Sequence, residues 1–328
     1  MITGISGHLG QAVVNHLLRD NPFTRIIGVD HRPPNILGPV HYIEANLLEL
    51  DLGDIFVINE ISAVIHCASA PDNSPVASDA QLAAVVIEAA QSAGLKRLVV
   101  PSRDWVYRHA DEPCPEDSAL RRLFSADTAR ARARKKIAER LGWMAIEAKL
   151  QTERVLVEAL AADRALDIVI PRFCAVIGRG CDPRLDAVLS SRFLFWTPDT
   201  RTRFQLLHID DAARFLVACA TRDGLRGAYN IAGDDAISLE TIAGILERRL
   251  LRLPTWAVRW LVTALYRIGV LDFGFGDLVR LQSGVPMATH KMVTALGSPR
   301  LTSRQSLALW RVEKRSGRPY VDGVYRGL

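Results

Sequence analysis

Short apolar runs alternate with stretches of helical apolar spacing through the first hundred positions of the chain. Met1 and Ile2 open a strand before which almost nothing stands, so this strand is unusually short or the natural chain begins upstream of Met1. Gln11 to Asp20 follows with Val13, Val14, Leu17 and Leu18 at helical spacing. Arg25 to Val29 reads as a second strand, Val40 to Ala45 as a third, and Ala63 to Pro71 as a fourth that ends in small residues. Gln81 to Ala93 is an alanine-rich helix, and Lys96 to Pro101 is a fifth strand. Strands and helices alternating at this length call for right-handed parallel crossovers, and so for a doubly wound α/β sheet.

The later pattern predicts a smaller, mostly helical lobe. Glu147 to Leu160 is a helix, Asp167 to Gly180 a strand running into a turn, and Leu225 to Gly233 another strand. Ser238 caps a helix expected over Leu239 to Leu250. Leu253 to Val270 mixes Trp256, Val258, Trp260, Leu261, Leu265, Tyr266 and Ile268 with Arg259 and Arg267, as helix-on-helix packing would require. A substrate pocket or a membrane-surface helix is the other reading of that segment; its length and arginines exclude a span. The tail from Arg311 carries basic residues, Gly and Pro and is expected to be poorly ordered. The expected division is a sheet domain over 1–175 to which 205–235 return, a lobe over 176–204 and 236–310, and a tail over 311–328.

With 328 residues, 49% of them apolar and 23% charged, the chain has the composition of a soluble globular protein with a large core. Its net charge of +5 suits anionic ligands but is too small to argue for nucleic acid. Cys67, Cys114, Cys174, Cys181 and Cys219 are odd in number and form no C-x-x-C pair, which points to a reducing, cytoplasmic compartment without a metal site. No signal peptide opens the chain, and no apolar run of about 18 residues suggests a membrane span.

Candidate chemistry enters with Gly4, Gly7 and Gly10, between the first apolar pair and the first helix. Glycines there turn the chain, let backbone N–H groups approach a pyrophosphate, and pack the helix closely on the sheet, with the phosphate on the positive helix end. Asp30 closes the second strand about 20 residues past the last glycine, where an acid holds the adenosine ribose hydroxyls. That acid favours NAD. Arg32 can accommodate a 2′-phosphate and leaves NADP open.

Thr3-Gly4-x-x-Gly7-x-x-Gly10, Val64-Ile65-His66, Leu98 to Ser102 running into Val106-Tyr107, and Lys149 followed by Glu153 together resemble the NAD-dependent epimerase/dehydratase family, the extended branch of the short-chain dehydrogenase/reductase superfamily. The likeness continues through Arg172 and Gly178, Leu207 to Ala213, and Tyr229 to Gly233. It implies a Rossmann-like fold and a homodimer formed through the helix carrying Lys149 and the one before it. It also implies a cofactor site built from Gly4, Gly7, His8, Leu9, Gly10, Asp30, Arg32, Asn46, Leu47, Cys67, Ala68, Ser69, Lys149 and Phe173.

The chain departs from that family where hydride transfer is managed. Family enzymes use a Tyr four residues before the Lys as acid/base, with a Ser or Thr beside it. Lys149 matches, but the Tyr place is Ala145, no Tyr-x-x-x-Lys occurs anywhere, and the Ser/Thr place is Arg103. A methyl group carries no proton, and a guanidinium is no base. The two Asn places fall on Asp79 and Ala175, and Arg203 stands one residue out of step with an epimerase pyrophosphate Arg. Lys149 and Asp104 are the candidate catalytic residues; sugar-nucleotide dehydratases in the family carry an acid where Asp104 stands. An ion pair with Arg103 or a turn cap is the plainer role for Asp104, and a solvated loop residue the plainer role for His109, the second proton-carrying candidate.

Arg121, Arg122, Arg130, Arg132, Arg134, Lys135, Lys136 and Arg140, with Leu123, Ile137, Leu141 and Met144, predict a basic helix. It is a solvated face or a binder of a phosphate-bearing substrate or acidic partner; no aromatic residues interleave for nucleic acid. The expected function is an NAD(P)-dependent oxidoreductase or epimerase/dehydratase-type enzyme acting on a small molecule with a non-standard acid/base group. The rival is a catalytically lapsed cofactor-binding regulator or structural subunit.

Overall fold

The computed structural model describes residues 1–20, 24–35, 38–70, 78–108, 112–122, 143–198 and 203–316. His109, the basic positions from Arg130 to Arg140 and the tail beyond Ser316 lie outside the described residues.

The central sheet is built from β1 (Ile2–Thr3), β2 (Ile26–Asp30), β3 (Val40–Glu44), β4 (Ala63–His66), β5 (Arg97–Val99), β6 (Ser102–Arg103), β7 (Asp167–Phe173) and, after the lobe strands, β11 (Gly227–Ile231). Their order is β11-β7-β5-β4-β1-β2-β3, with β6 beside β7, and every pairing is parallel. The doubly wound parallel sheet expected from the alternation is therefore present. Side chains of period two feed both of its faces: Val99 and Val169 enter one core, while Leu98, Ile168 and Ile170 enter the other. The first core is closed by α1 (His8–Asp20) through Val13 and Val14, the second by α2 (Leu52–Ile58), α3 (Asp79–Ser92) and α4 (Trp143–Ala162) through Phe56, Val86 and Leu156.

The remaining helices are α5 (Pro183–Ser190), α6 (Ile209–Thr221), α7 (Leu239–Leu246), α8 (Thr255–Arg267), α9 (Phe275–Ser283), α10 (His290–Leu296) and α11 (Ser303–Ser316). The strands β8 (Ala175–Ile177) and β10 (Leu206–His208) form one two-stranded parallel sheet, and β9 (Phe193–Trp196) and β12 (Arg249–Arg252) form another. Ser238 caps α7 as expected, its hydroxyl accepting the Thr241 N–H at 3.2 Å, but the helix stops at Leu246 rather than Leu250. Glu247 takes a left-handed conformation (φ 56°), and Leu250 turns into β12, where pairing with Leu194 replaces the helical bond. Likewise α11 runs past Arg311, whose guanidinium holds the Ile245 carbonyl at 2.6 Å and pairs with Glu247. Local composition predicts disorder there; the contact with α7 outweighs it.

Two constraints fix the sheet's opening turn. Gly4 has φ +70°, and a Cβ on it would overlap the backbone of Cys67 and Ala68; a Cβ on Gly10 would strike Gly4 and Ile5. Beside it, Thr3 pairs in register with His66, and their side chains meet at 2.7 Å between Oγ1 and Nδ1, fully buried. Burial first, then the charge of Lys149, pushes the His66 pKa down to about 4, with Asp79 opposing.

Gly4→Ala is expected to lower stability by about 2–4 kcal/mol, combining left-handed strain with a backbone clash. Gly94→Ala shares the positive φ (+65°) but meets nothing within 4 Å, and should cost only about 1 kcal/mol; urea unfolding compares the two. Because the native state holds His66 neutral while the unfolded chain protonates it near pH 6.5, its contribution is present above that pH and lost as pH falls toward 4. Wild type should therefore lose up to about 3 kcal/mol more than His66→Asn between pH 7 and pH 4 in chemical unfolding, and parallel profiles would refute this.

Candidate functional site

Where the strand order reverses between β1 and β4, the turn after β1 opens onto a cavity of about 750 Å³. Parallel sheets of this kind bind ligands at such a reversal, outside the carboxyl ends of the strands. The glycine turn forms one wall: Gly7 N–H is bonded back to the Gly4 carbonyl at 3.0 Å, and Gly4, Gly7, His8 and Leu9 line the cavity. Asp30 and Arg32 line it after β2, Asn46 and Leu47 after β3, and Cys67, Ala68 and Ser69 after β4. Lys149 and Phe173 border its far end. Of the sequence-predicted cofactor residues only Gly10 stays behind the wall, buried where α1 crosses the turn.

The Asp30 carboxylate is held at two points. One carboxylate oxygen accepts the Ser6 N–H at 2.9 Å and the other the His31 N–H at 2.8 Å, which fixes the group at the cavity edge while leaving acceptor capacity for hydroxyls. Asn46 is fixed too, donating to Glu49 at 2.8 Å and accepting from the Leu48 N–H at 3.2 Å. The Arg32 carbonyl accepts the Ser6 hydroxyl, so this Arg sits beside Asp30 as an NADP site would need. The cradle, the acid and the cavity volume fit a dinucleotide; in this wall Cys67 is a half-buried thiol whose surroundings push its pKa up to about 12, which does not suit a nucleophile.

Three residues define the far end. Lys149 Nζ lies 2.9 Å from Asp79 Oδ2, and the other oxygen of Asp79 accepts the Ala70 N–H at 2.8 Å. Asp79 thus holds the ammonium at the cavity wall, a pairing across 70 residues of chain. Arg103 stacks on the Trp105 ring, 4.7 Å from its centroid, and both line the cavity. Its Nε is buried without a hydrogen-bond partner, and no described carboxylate pairs with it. The expected Arg103–Asp104 ion pair is therefore not formed. Asp104 is buried and faces a neighbouring cavity of about 30 Å³, shared with Asp182, Arg184 and Asp277. The Arg121 guanidinium lies within electrostatic reach; burial lowers its pKa and Asp104 raises it.

Behind this end runs a buried polar network. Glu153 accepts Ser102 Oγ at 2.5 Å and a two-pronged contact from Arg172, whose other nitrogen donates to the Tyr107 hydroxyl at 2.8 Å. Tyr107 donates to Asn230 at 2.5 Å. Burial, against the pull of Arg172, raises the Tyr107 pKa to about 12, so this phenol is a structural donor in the network. Sequence reasoning missed Asp79 as the partner of Lys149, and Asp182, which caps α5 and borders both cavities. An Asp followed by Pro is a helix-start signal that would have located Asp182.

The fold is similar to that of MoeE5 solved with UDP-glucose and NAD, at 22% identity and a TM-score of 0.68 over 96% of this chain and 98% of that one. It is also similar to UDP-glucuronic acid 4-epimerase from Bacillus cereus with NAD (18%, 0.67, 96% and 98%) and to dTDP-glucose 4,6-dehydratase from Bacillus anthracis with NAD (13%, 0.65, 96% and 96%). No curated protein sequence matches the chain. The model of the NAD dependent epimerase/dehydratase family matches residues 1–232, well over half the length, and the chain belongs to that family.

Proposed function

We propose that this protein binds NAD in the 750 Å³ cavity and carries out redox chemistry of the epimerase/dehydratase kind on a nucleotide-linked sugar or a related anionic small molecule. The observation that carries this reading is the convergence of the glycine turn, Asp30 and the Asp79-held Lys149 on one cavity. The Gly4–Gly7 backbone would take the diphosphate and Asp30 the adenosine ribose, with the choice between NAD and NADP lying between Asp30 and Arg32. When bound, NAD supplies reversible hydride acceptance, so the protein must remove one proton from a substrate hydroxyl as the carbonyl forms.

With a methyl at position 145, that proton falls to the Lys149–Asp79 pair, and Asp104 behind Arg103 remains the second candidate. Arg103 is the substrate-side cation: a planar donor stacked on Trp105, without a carboxylate partner, fits a carboxylate or phosphate on the substrate. The same reading places the protein in a reducing cytoplasm, supported by its five free thiols, and pairs it as a homodimer through α3 and α4, where Val157 is half exposed. One observation favours the rival reading of a cofactor-binding protein without turnover: Lys149 already has its counter-ion, and among the described residues no tyrosine is bonded to it.

Calorimetry with NAD and NADP, followed by nicotinamide absorbance with UDP-glucose, UDP-glucuronic acid and dTDP-glucose, separates the readings. Lys149→Ala should weaken NAD binding by about 10–100-fold and remove turnover; cofactor binding with no turnover on any sugar would favour the lapsed protein. Arg103→Gln should leave NAD affinity unchanged and weaken UDP-glucuronic acid binding to the NAD-loaded protein by about 10–100-fold, the worth of one charged hydrogen bond. Equal binding by wild type and variant would remove Arg103 from the substrate site.

A further inference from the structure

α8 carries a surface for which the reaction has no use. Its inward side is firmly seated: Val258 and Val262 are fully buried against Phe195, Phe273 and Leu278. On the outward side Trp256 and Trp260, one turn apart, are 75% and 71% exposed, and just beyond the helix Ile268 and Val270 are exposed as well, at 70% and 63%. The packing expected of these aromatic residues is absent from the described structure. Two large neighbouring rings left in solvent form the kind of exposed apolar patch that marks a docking face.

The charge around the strip says what it meets. From Arg248 to Leu271 the chain holds five arginines and no Asp or Glu. Arg252 is turned to Glu240 at 3.0 Å, but Arg259 and Arg267 are exposed and meet no described carboxylate. At about 100° per residue, Arg267 falls between Trp256 and Trp260 on the helix wheel and Arg259 at their edge. Indole rings beside guanidinium groups match the headgroup layer of a bilayer, where the ring enters the apolar boundary and the cation meets lipid phosphate. A second copy of the chain is a poorer occupant, because a two-fold contact through this face would set Arg259 and Arg267 against their own equivalents. We propose that the outward face of α8 docks the protein on an anionic phospholipid surface. No described helix is long and apolar enough to cross a membrane, so attachment would be peripheral.

The test needs neither cofactor nor substrate. Full-length protein is sedimented with vesicles of equal parts phosphatidylglycerol and phosphatidylcholine, and with phosphatidylcholine alone. The expected result is partitioning at least about ten-fold stronger onto the anionic vesicles, with a blue shift of tryptophan emission and a marked loss in high salt. Trp256→Ser with Trp260→Ser, and separately Arg259→Gln with Arg267→Gln, should each reduce partitioning at least about ten-fold while thermal unfolding stays close to wild type. Absence of vesicle binding, or equal binding by wild type and both variants, overturns the proposal. So does a fall in light-scattering mass on tryptophan substitution, which would assign the face to a second copy.

Discussion

The Glu153–Arg172 pair, with both side chains buried, is the interaction on which the working end of the sheet depends. Taking two charges out of water is costly, so such a pair persists only where further hydrogen bonds satisfy its remaining atoms. Here Ser102 of β6, Tyr107 and the Glu116 carbonyl do so, and Tyr107 in turn donates to Asn230 of β11. The pair therefore ties strands that end at the cavity to α4, the helix that carries Lys149 one turn before Glu153. Its contribution is geometric specificity: an apolar substitute would hold these elements together but would not set their register.

That register places opposite charges along the far end of one cavity. Lys149 and Asp79 neutralise each other, whereas Arg103 adds a cation with no described counter-ion. A guanidinium with no described carboxylate partner beside an aromatic plate is suited to an anionic group on a ligand. Desolvation lowers the His66 pKa to about 4 and raises that of Cys67 to about 12, so neither side chain adds charge to the cavity wall near neutral pH.

Much of the fold was legible because its signals are local. Apolar runs marked β2, β3 and β4, alanine spacing marked α3, and the glycine turn marked the join between β1 and α1. The failures occurred where a distant partner outweighs a local pattern. Leu250 reads as helix but pairs with Leu194, and Arg311 to Ser316 read as the start of a tail but continue α11, with Arg311 bonded to α7. Val258 and Val262 pack as their spacing requires, yet Trp256 and Trp260 on the other side of the same helix remain in solvent, which no periodicity could reveal. In the site, glycines and Asp30 announce themselves by spacing. Asp79 did not, because its partner lies 70 residues away and the two meet only when α3 and α4 pack side by side.

By itself the sequence determined the sheet's alternation, the glycine turn between β1 and α1 with Asp30 after it, and the absence of any Tyr-x-x-x-Lys, all carried by residues close in the chain. Only the tertiary structure decided that Lys149 answers to Asp79, that Arg103 and not Asp104 borders the cavity, and that Tyr107 belongs to the buried network. Those outcomes depend on which strand ends are brought into register and which side chains are desolvated there. Burial and pairing are properties of the assembled sheet, and no single segment carries them.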